Sequence, residues 1–255
     1  MHNPDELYIK LVKQHFAEWQ SVDNAIETLG ILIDLSTDLA KDDGFTHAIN
    51  ESSRILARNI NSSQKAILYY FIGNAWSGLR SLKHSEENNI WQWEQNEIEQ
   101  EIFNYRLSIL LQDNPYSCQV HTNLGNIFNH FGRFVEAIDY WNNALNQNRS
   151  FGMALANKGH GLISYAESLY DDGHRGLFLK HAYALLKKGL AADGMYPDAK
   201  KFFESRIHYL ETRIGETFLN EPYEMDSYSL GKSDGEKRYR KWCLDNTLFL
   251  NPLND

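Results

Sequence analysis

Apolar side chains recur every three or four residues over residues 124–145, which is the spacing of one face of an α-helix. They are Leu124, Phe128, Phe131, Phe134, Ile138, Trp141 and Leu145. Gly132 interrupts the run, and an isolated glycine costs about 1 kcal/mol inside a helix but suits a turn. The stretch therefore predicts two short helices joined by a turn at Gly132.

Small residues recur at a fixed distance along the chain. Gly159 follows Gly125 by 34 residues, which is the length of a repeat built from two helices. In the first unit, Gly125 and Ala137 are small enough for the paired helices to approach closely. Phe128 and Trp141 are large enough to fill the space around them. A second helix pair is therefore predicted around Gly159.

The tetratricopeptide repeat has the pattern W-x2-L-G-x2-Y, then A-x3-F, then P. This chain resembles that family in the segments His121-x2-Leu124-Gly125-x2-Phe128 and Ala137-x3-Trp141, although the final proline is missing. The resemblance implies an all-α fold, specifically a right-handed α-solenoid of antiparallel helix pairs.

The helical pattern predicts a repeat domain over residues 1–215 and an irregular extension over residues 216–255. Degenerate repeats are predicted at 21–60 and 62–115, the clearest repeat at 117–150, a second at 151–194 and a capping helix at 195–215. Gly125 and Ala137 are 12 residues apart, whereas Gly159 and its matching Ala182 are 23 apart, so the second repeat holds an insertion of about eleven residues. Two glycines within 171–176 predict that this insertion is a loop. The extension gathers Gly, Ser, Asp and Pro, and its apolar end predicts a further domain beyond it.

Composition restricts the function classes. A formal charge of -9 argues against general attraction to nucleic acid. The two cysteines, Cys118 and Cys243, lie far apart, so we expect neither a disulfide framework nor a structural zinc site, and a reducing cytoplasm fits best. No apolar run is long enough to span a membrane, so no membrane partner is expected.

The groove of a tetratricopeptide array is lined by the first helix of each pair, so the resemblance implies a site for a peptide or partner protein. The candidate residues are Gln119, Thr122, Asn126 and His130 from one repeat, and Met153, Asn157 and His160 from the next. Asn126 and Asn157 match two asparagines that hold the ligand in chaperone-binding members of the family. Thr122 and Met153 stand where those members carry cations, so an acidic carboxy-terminal ligand is not expected. The alternative interpretation is that both asparagines only support helix packing. The expected function is an interaction scaffold or sensor that regulates an effector.

The last seventeen residues, YRKWCLDNTLFLNPLND, resemble the junction between a tetratricopeptide array and a HEPN domain in bacterial proteins. HEPN domains include RNA-cleaving toxins and defence nucleases. The resemblance implies an alternative function, in which this chain is the regulatory half of a HEPN-type ribonuclease in toxin or phage-defence activity. A basic segment precedes and overlaps this junction, with the cations Lys237, Arg238, Arg240 and Lys241. It could contact RNA through its cations and aromatic rings. The acidic composition of the chain favours the alternative, in which the segment is a solvated connector.

No sequence signature predicts catalysis in this chain. G-x-S-x-G, H-E-x-x-H, P-loop and C-x-x-C motifs are absent, and ten scattered histidines show no ligand spacing. Arg175 and His181 have the spacing of the HEPN catalytic pair, but a chain with this many arginines and histidines contains such pairs by chance. We therefore expect no enzyme activity, no metal and no cofactor.

Overall fold

A computed structural model describes residues 3–15, 21–83, 96–192 and 195–221. These residues form α-helices and turns and contain no β-strand. The helices are α1 (Pro4–Val12), α2 (Val22–Asp38), α3 (Asp42–Leu56), α4 (Ser62–Lys83), α5 (Asn96–Ile109), α6 (Ser117–His130), α7 (Phe134–Gln147), α8 (Gly152–Glu167), α9 (Asp172–Leu190), α10 (Pro197–Ile214) and α11 (Glu216–Asn220). The all-α prediction is confirmed for the described part of the chain.

Consecutive helices pack as hairpins: α2 with α3, α4 with α5, α6 with α7, and α8 with α9. Successive hairpins are joined by α2 and α3 on α4, α6 on α5, and α8 on both α6 and α7. The helix α10 begins with Pro197 and packs against α8 and α9, where the sequence places a capping helix. The structure adds two helices that the sequence pattern does not predict, α1 at the amino-terminal end and the five-residue α11 at the start of the extension.

Gly132 lies in the turn between α6 and α7, as the interrupted pattern predicts. Its φ is +72°, in the left-handed region that glycine adopts without strain. Its backbone N–H donates to the carbonyl of Asn129 at 3.0 Å, and the next N–H, of Arg133, donates to the carbonyl of Phe128 at 2.8 Å. These bonds satisfy carbonyls at the end of α6 and reverse the chain within three residues.

Trp141 holds two neighbouring hairpins together. The indole is 1% exposed and lies between Gly125 of α6 and Gly161 of α8. A Cβ atom on Gly125 would lie 2.5 Å from the indole Nε1, and one on Gly161 would lie 2.5 Å from Cη2. Both helices therefore approach the ring more closely than any larger residue allows. Ala137 is also fully buried, as expected for the small residue of the second helix.

The insertion in the second repeat is helical, so the prediction of a loop at 171–176 is wrong. Asp171 is the N-cap of α9, and its carboxylate accepts a hydrogen bond from the backbone N–H of His174 at 2.6 Å. The additional residues lengthen the hairpin: α8 and α9 have 16 and 19 residues, whereas α6 and α7 have 14 each. Gly159 does face Ala182, because a Cβ atom on this glycine would lie 2.9 Å from the carbonyl oxygen of Ala182.

Two apolar cores run along the array. The first is built from α1 to α7 and the second from α8 to α11, and Phe134 and Ile138 of α7 contact both. The short α11 is held on α9 by Leu219, which is buried, and by Phe218, whose ring lies 4.1 Å from the Nζ of Lys180. None of the helices in the described ranges is both long enough and apolar enough to span a membrane.

Candidate functional site

A cavity of about 590 Å³ opens between the first helices of three consecutive hairpins, α2, α4 and α6. The helix α5 closes one side, and Phe45 of α3 contributes an apolar surface. Most of the lining side chains are polar, among them Asp34, Asn74, Arg80, Glu101, Tyr105, Asn123, Asn126 and His130. A concave space of this size with a few fixed polar groups has the features of a ligand site.

A hydrogen-bonded network fixes the wall between α4 and α6. The buried hydroxyl of Tyr105 on α5 donates to Oδ1 of Asn74 at 2.7 Å. Nδ2 of Asn123 donates to the Tyr105 hydroxyl at 3.1 Å and also approaches Oδ1 of Asn74 at 3.4 Å. Burial holds the pKa of Tyr105 well above its ordinary value, so the hydroxyl keeps its proton and remains a donor. Gly73 leaves room for the ring, because a Cβ atom there would lie 2.5 Å from it.

The orientation of the Asn126 carboxamide is set by Trp141. The indole Nε1 donates to Oδ1 of Asn126 at 3.1 Å, and an indole nitrogen can only donate. The atom that faces the indole must therefore be the oxygen, which leaves Nδ2 as the ligand-facing donor of this cavity residue. Within the described residues, Nδ2 of Asn126 donates to no other group, whereas the Asn74 side chain also hydrogen-bonds the Tyr70 hydroxyl.

An ion pair lies at one side of the cavity. Nε of Arg80 donates to Oε2 of Glu101 at 2.9 Å, and the Glu101 side chain is only 3% exposed. Burial raises the pKa of Glu101, while the charge and hydrogen bond of Arg80 and a hydrogen bond from Ser77 act in the opposite direction. Holding this carboxylate leaves the terminal nitrogens of Arg80 as further donors at the cavity.

His130 lines the same cavity at the end of α6. Burial lowers its pKa, and the nearby positive charge of Arg80 lowers it further. The imidazole is therefore neutral at neutral pH, since its ordinary pKa is already about 6.5. The charges at this site then reduce to the Arg80–Glu101 pair and Asp34.

The structure brings only two of the seven predicted groove residues, Asn126 and His130, to this cavity. Thr122 is 2% exposed and its hydroxyl donates to the carbonyl of Cys118 at 2.8 Å, so it is a packing residue and not an accessible contact. Gln119 is partly exposed on α6, outside the cavity lining. Met153 packs against the second apolar core.

Asn157 and His160 of α8 also lie outside the cavity. Nδ2 of Asn157 donates to the carbonyl of Met153 at 2.8 Å, one turn earlier in the same helix. His160 packs edge-on against Phe202 of α10, with ring centroids 5.1 Å apart. Helix support is thus a role of Asn157, whereas Asn126 both supports Trp141 and faces the cavity.

Sequence reasoning missed the residues that α4 and α5 contribute, chiefly Asn74, Arg80, Glu101 and Tyr105. They belong to the degenerate repeat at 62–115, where the small-residue pattern is weak. Gly73 was the available signal, because a glycine within a helical run often marks a close approach of another group. Nothing in the spacing of Arg80 and Glu101 indicates that they meet.

The remaining candidates do not form a second site within the described residues. Arg175 donates through Nε to the carbonyl of Leu169 at 3.1 Å and through a terminal nitrogen to Asp172 at 2.8 Å, so it stabilises the start of α9. The four basic residues from Lys237 to Lys241 lie outside the described ranges. Across the part of the chain that the structure describes, no three His, Cys, Asp or Glu side chains lie close enough together to hold a metal ion.

Comparisons of this chain with protein-family models, with curated proteins and with solved structures find no match.

Proposed function

We propose that this protein is an interaction module that binds an extended peptide segment of a partner protein in the cavity between α2, α4 and α6. The proposal includes a tetratricopeptide-like, right-handed arrangement of the hairpins and a cytoplasmic location. Peptide recognition on such arrays uses the first helices of consecutive hairpins, and these helices line the cavity.

The observation that carries the proposal is the fixed orientation of the Asn126 carboxamide. Its oxygen is occupied by Trp141, so its Nδ2 is directed to an acceptor such as a peptide carbonyl. Asn74 is held by Tyr105 and Tyr70, so it supports this wall of the cavity. A peptide backbone presents carbonyl oxygens at regular intervals, and donors held in place beforehand bind them with a smaller loss of conformational entropy.

The test is a selection of random displayed peptides of about twelve residues on the wild-type protein, followed by affinity measurement with labelled synthetic peptides. Two variants then show whether binding occurs in the cavity. Ser81→Trp places a large ring on the α4 wall, whereas Ser53→Trp places the same ring on the exposed side of α3. We expect Ser81→Trp alone to abolish peptide binding. Equal binding by both variants would refute the location.

A second variant pair tests the carboxamide donor. Asn126→Asp keeps an oxygen for the Trp141 N–H but replaces Nδ2 with a further acceptor. Asn142→Asp on α7 makes the same change at a carboxamide whose oxygen accepts from Lys158 at 2.8 Å, outside the cavity. We expect affinity to fall about tenfold or more in Asn126→Asp only, because a buried mismatched polar contact costs roughly 1–3 kcal/mol. Unchanged affinity in Asn126→Asp would exclude a donor role.

The alternative proposal, regulation of a HEPN-type ribonuclease with RNA contact through Lys237, Arg238, Arg240 and Lys241, is favoured by the sequence of the extension. Replacing these four residues with glutamine should weaken RNA binding if the proposal holds, and the affinity that remains should depend less on salt. If the wild-type chain does not bind RNA, the proposed RNA contact is refuted.

A further inference from the structure

The charges lining the cavity are unevenly distributed. Arg80 and Glu101 neutralise each other on the side formed by α4 and α5. His130 adds no charge at neutral pH. Asp34 of α2 remains, and within the described residues it forms no ion pair. The cavity therefore has a net charge of about −1, which is located on its α2 wall.

The Asp34 carboxylate lines the cavity, so its negative charge acts on a ligand bound there. Asp38 is one turn further along α2, and its charge raises the pKa of Asp34 in addition to the larger effect of partial burial. Thr37, which also lines the α2 wall, donates its hydroxyl to the carbonyl of Ile33 at 3.0 Å and so supplies no cation or ligand-facing proton. A ligand cation is the group that relieves the repulsion between these carboxylates.

The walls formed by α4 and α6 select for oxygen atoms. Nδ2 of Asn126 and the terminal nitrogens of Arg80 are donors, and neither group has an acceptor within the described residues. A ligand that satisfies all three walls presents acceptor oxygens to α4 and α6 and a positive charge to α2. Among peptide segments, this combination is a backbone with a lysine or arginine side chain.

We propose that the peptide bound in this cavity carries a lysine or arginine side chain that pairs with Asp34, while its backbone carbonyls accept hydrogen bonds from Asn126 and Arg80. The inference depends on the proposed peptide-binding function and defines its ligand. An acidic peptide would meet the uncompensated carboxylate and a protein of formal charge -9.

The experiment repeats the peptide selection in parallel on the wild type, on Asp34→Asn and on Asp139→Asn. Asp139 is exposed on α7 outside the cavity, so its replacement changes the net charge equally without changing the site. We expect lysine and arginine to be enriched at one position of the peptides selected by the wild type and Asp139→Asn. Asp34→Asn should lose this enrichment.

A double-mutant cycle with one selected peptide then measures the pairing directly. The peptide and its analogue with norleucine in place of the basic residue are titrated against the wild type and Asp34→Asn. Because Asp34 is partly exposed, we expect a loss of about twofold to fivefold for either single change and no further loss for the two together. The loss should be smaller at high salt.

The possible results separate the two proposals. Peptides that bind in a Ser81-dependent manner without basic enrichment, or with enrichment of acidic residues, would overturn the inference and leave peptide binding in place. Additive losses in the cycle would also overturn it. Failure to select any peptide whose binding is blocked by Ser81→Trp would refute the proposed function, and the inference with it.

Discussion

Replacing Gly125 with alanine should destabilise the array, because the added methyl group meets a ring that cannot move away. The new Cβ would lie 2.5 Å from Nε1 and 2.7 Å from Cδ1 of Trp141. The indole is 1% exposed, and Gly161 lies against its other edge, with a Cβ position 2.5 Å from Cη2. Relief of the contact therefore requires the helices to separate.

The expected loss of stability is the sum of three effects, of which two destabilise the variant and one stabilises it. Overpacking of a buried site costs about 1–3 kcal/mol. Displacement of Nε1 weakens its hydrogen bond to Asn126, which contributes about 0.5–1.5 kcal/mol. Alanine favours a helix over glycine by about 1 kcal/mol, which offsets part of the loss. We expect Gly125→Ala to lower the free energy of unfolding by about 2 kcal/mol, or the Tm by roughly 4–8 °C for a chain of this length.

Urea unfolding followed by far-UV circular dichroism measures this effect. Gly173→Ala is the matched control, because Gly173 is an exposed glycine of α9 whose Cβ position has only the Asp171 side chain as a neighbour, at 3.3 Å. This control should be neutral or slightly stabilising. In a Trp141→Leu background, Gly125→Ala should no longer be destabilising, since the opposing ring is absent. Wild-type stability of Gly125→Ala, or an equal penalty in both backgrounds, would refute the packing argument.

The remaining stability predictions concern the hairpin of α8 and α9. Gly159→Ala should destabilise the protein by about 1–3 kcal/mol in urea unfolding. The new Cβ would lie 2.9 Å from the backbone oxygen of Ala182, which cannot rotate away. Equal urea midpoints for the variant and the wild type would contradict this prediction. Burial, followed by the charge of Lys158, lowers the pKa of His181 from 6.5 to about 4. Between pH 4 and pH 6.5, His181 is therefore protonated in the unfolded chain but neutral in the folded one. The free energy of unfolding should fall as pH decreases from about 6.5 to about 4, and His181→Gln should make this fall smaller. Identical pH profiles of the urea midpoint for the wild type and His181→Gln would show that the imidazole does not contribute.

The sequence by itself determined that the described chain is all-α and where its clearest helix pair lies, because local periodicity records which face of a helix is buried. The spacing of apolar residues over 124–145 identified α6, α7 and the turn at Gly132. The glycine at 125 and its counterpart at 159 identified close helix approaches, since only a very small residue permits them. The same reasoning was wrong for 171–176, where the N-cap Asp171 and the packing of α9 outweigh the low helix propensity of two glycines.

The tertiary structure alone decided which polar residues meet. Asn74, Tyr105 and Asn123 form one network across three helices, although 49 residues separate the first from the last. Arg80 and Glu101 pair across two helices, and Trp141 turns the Asn126 carboxamide toward the cavity. Periodicity specifies a buried face but not the distance between two helices or the rotation of a carboxamide. Those are fixed by the volumes of side chains that pack between distant segments, and the cavity is the space they leave.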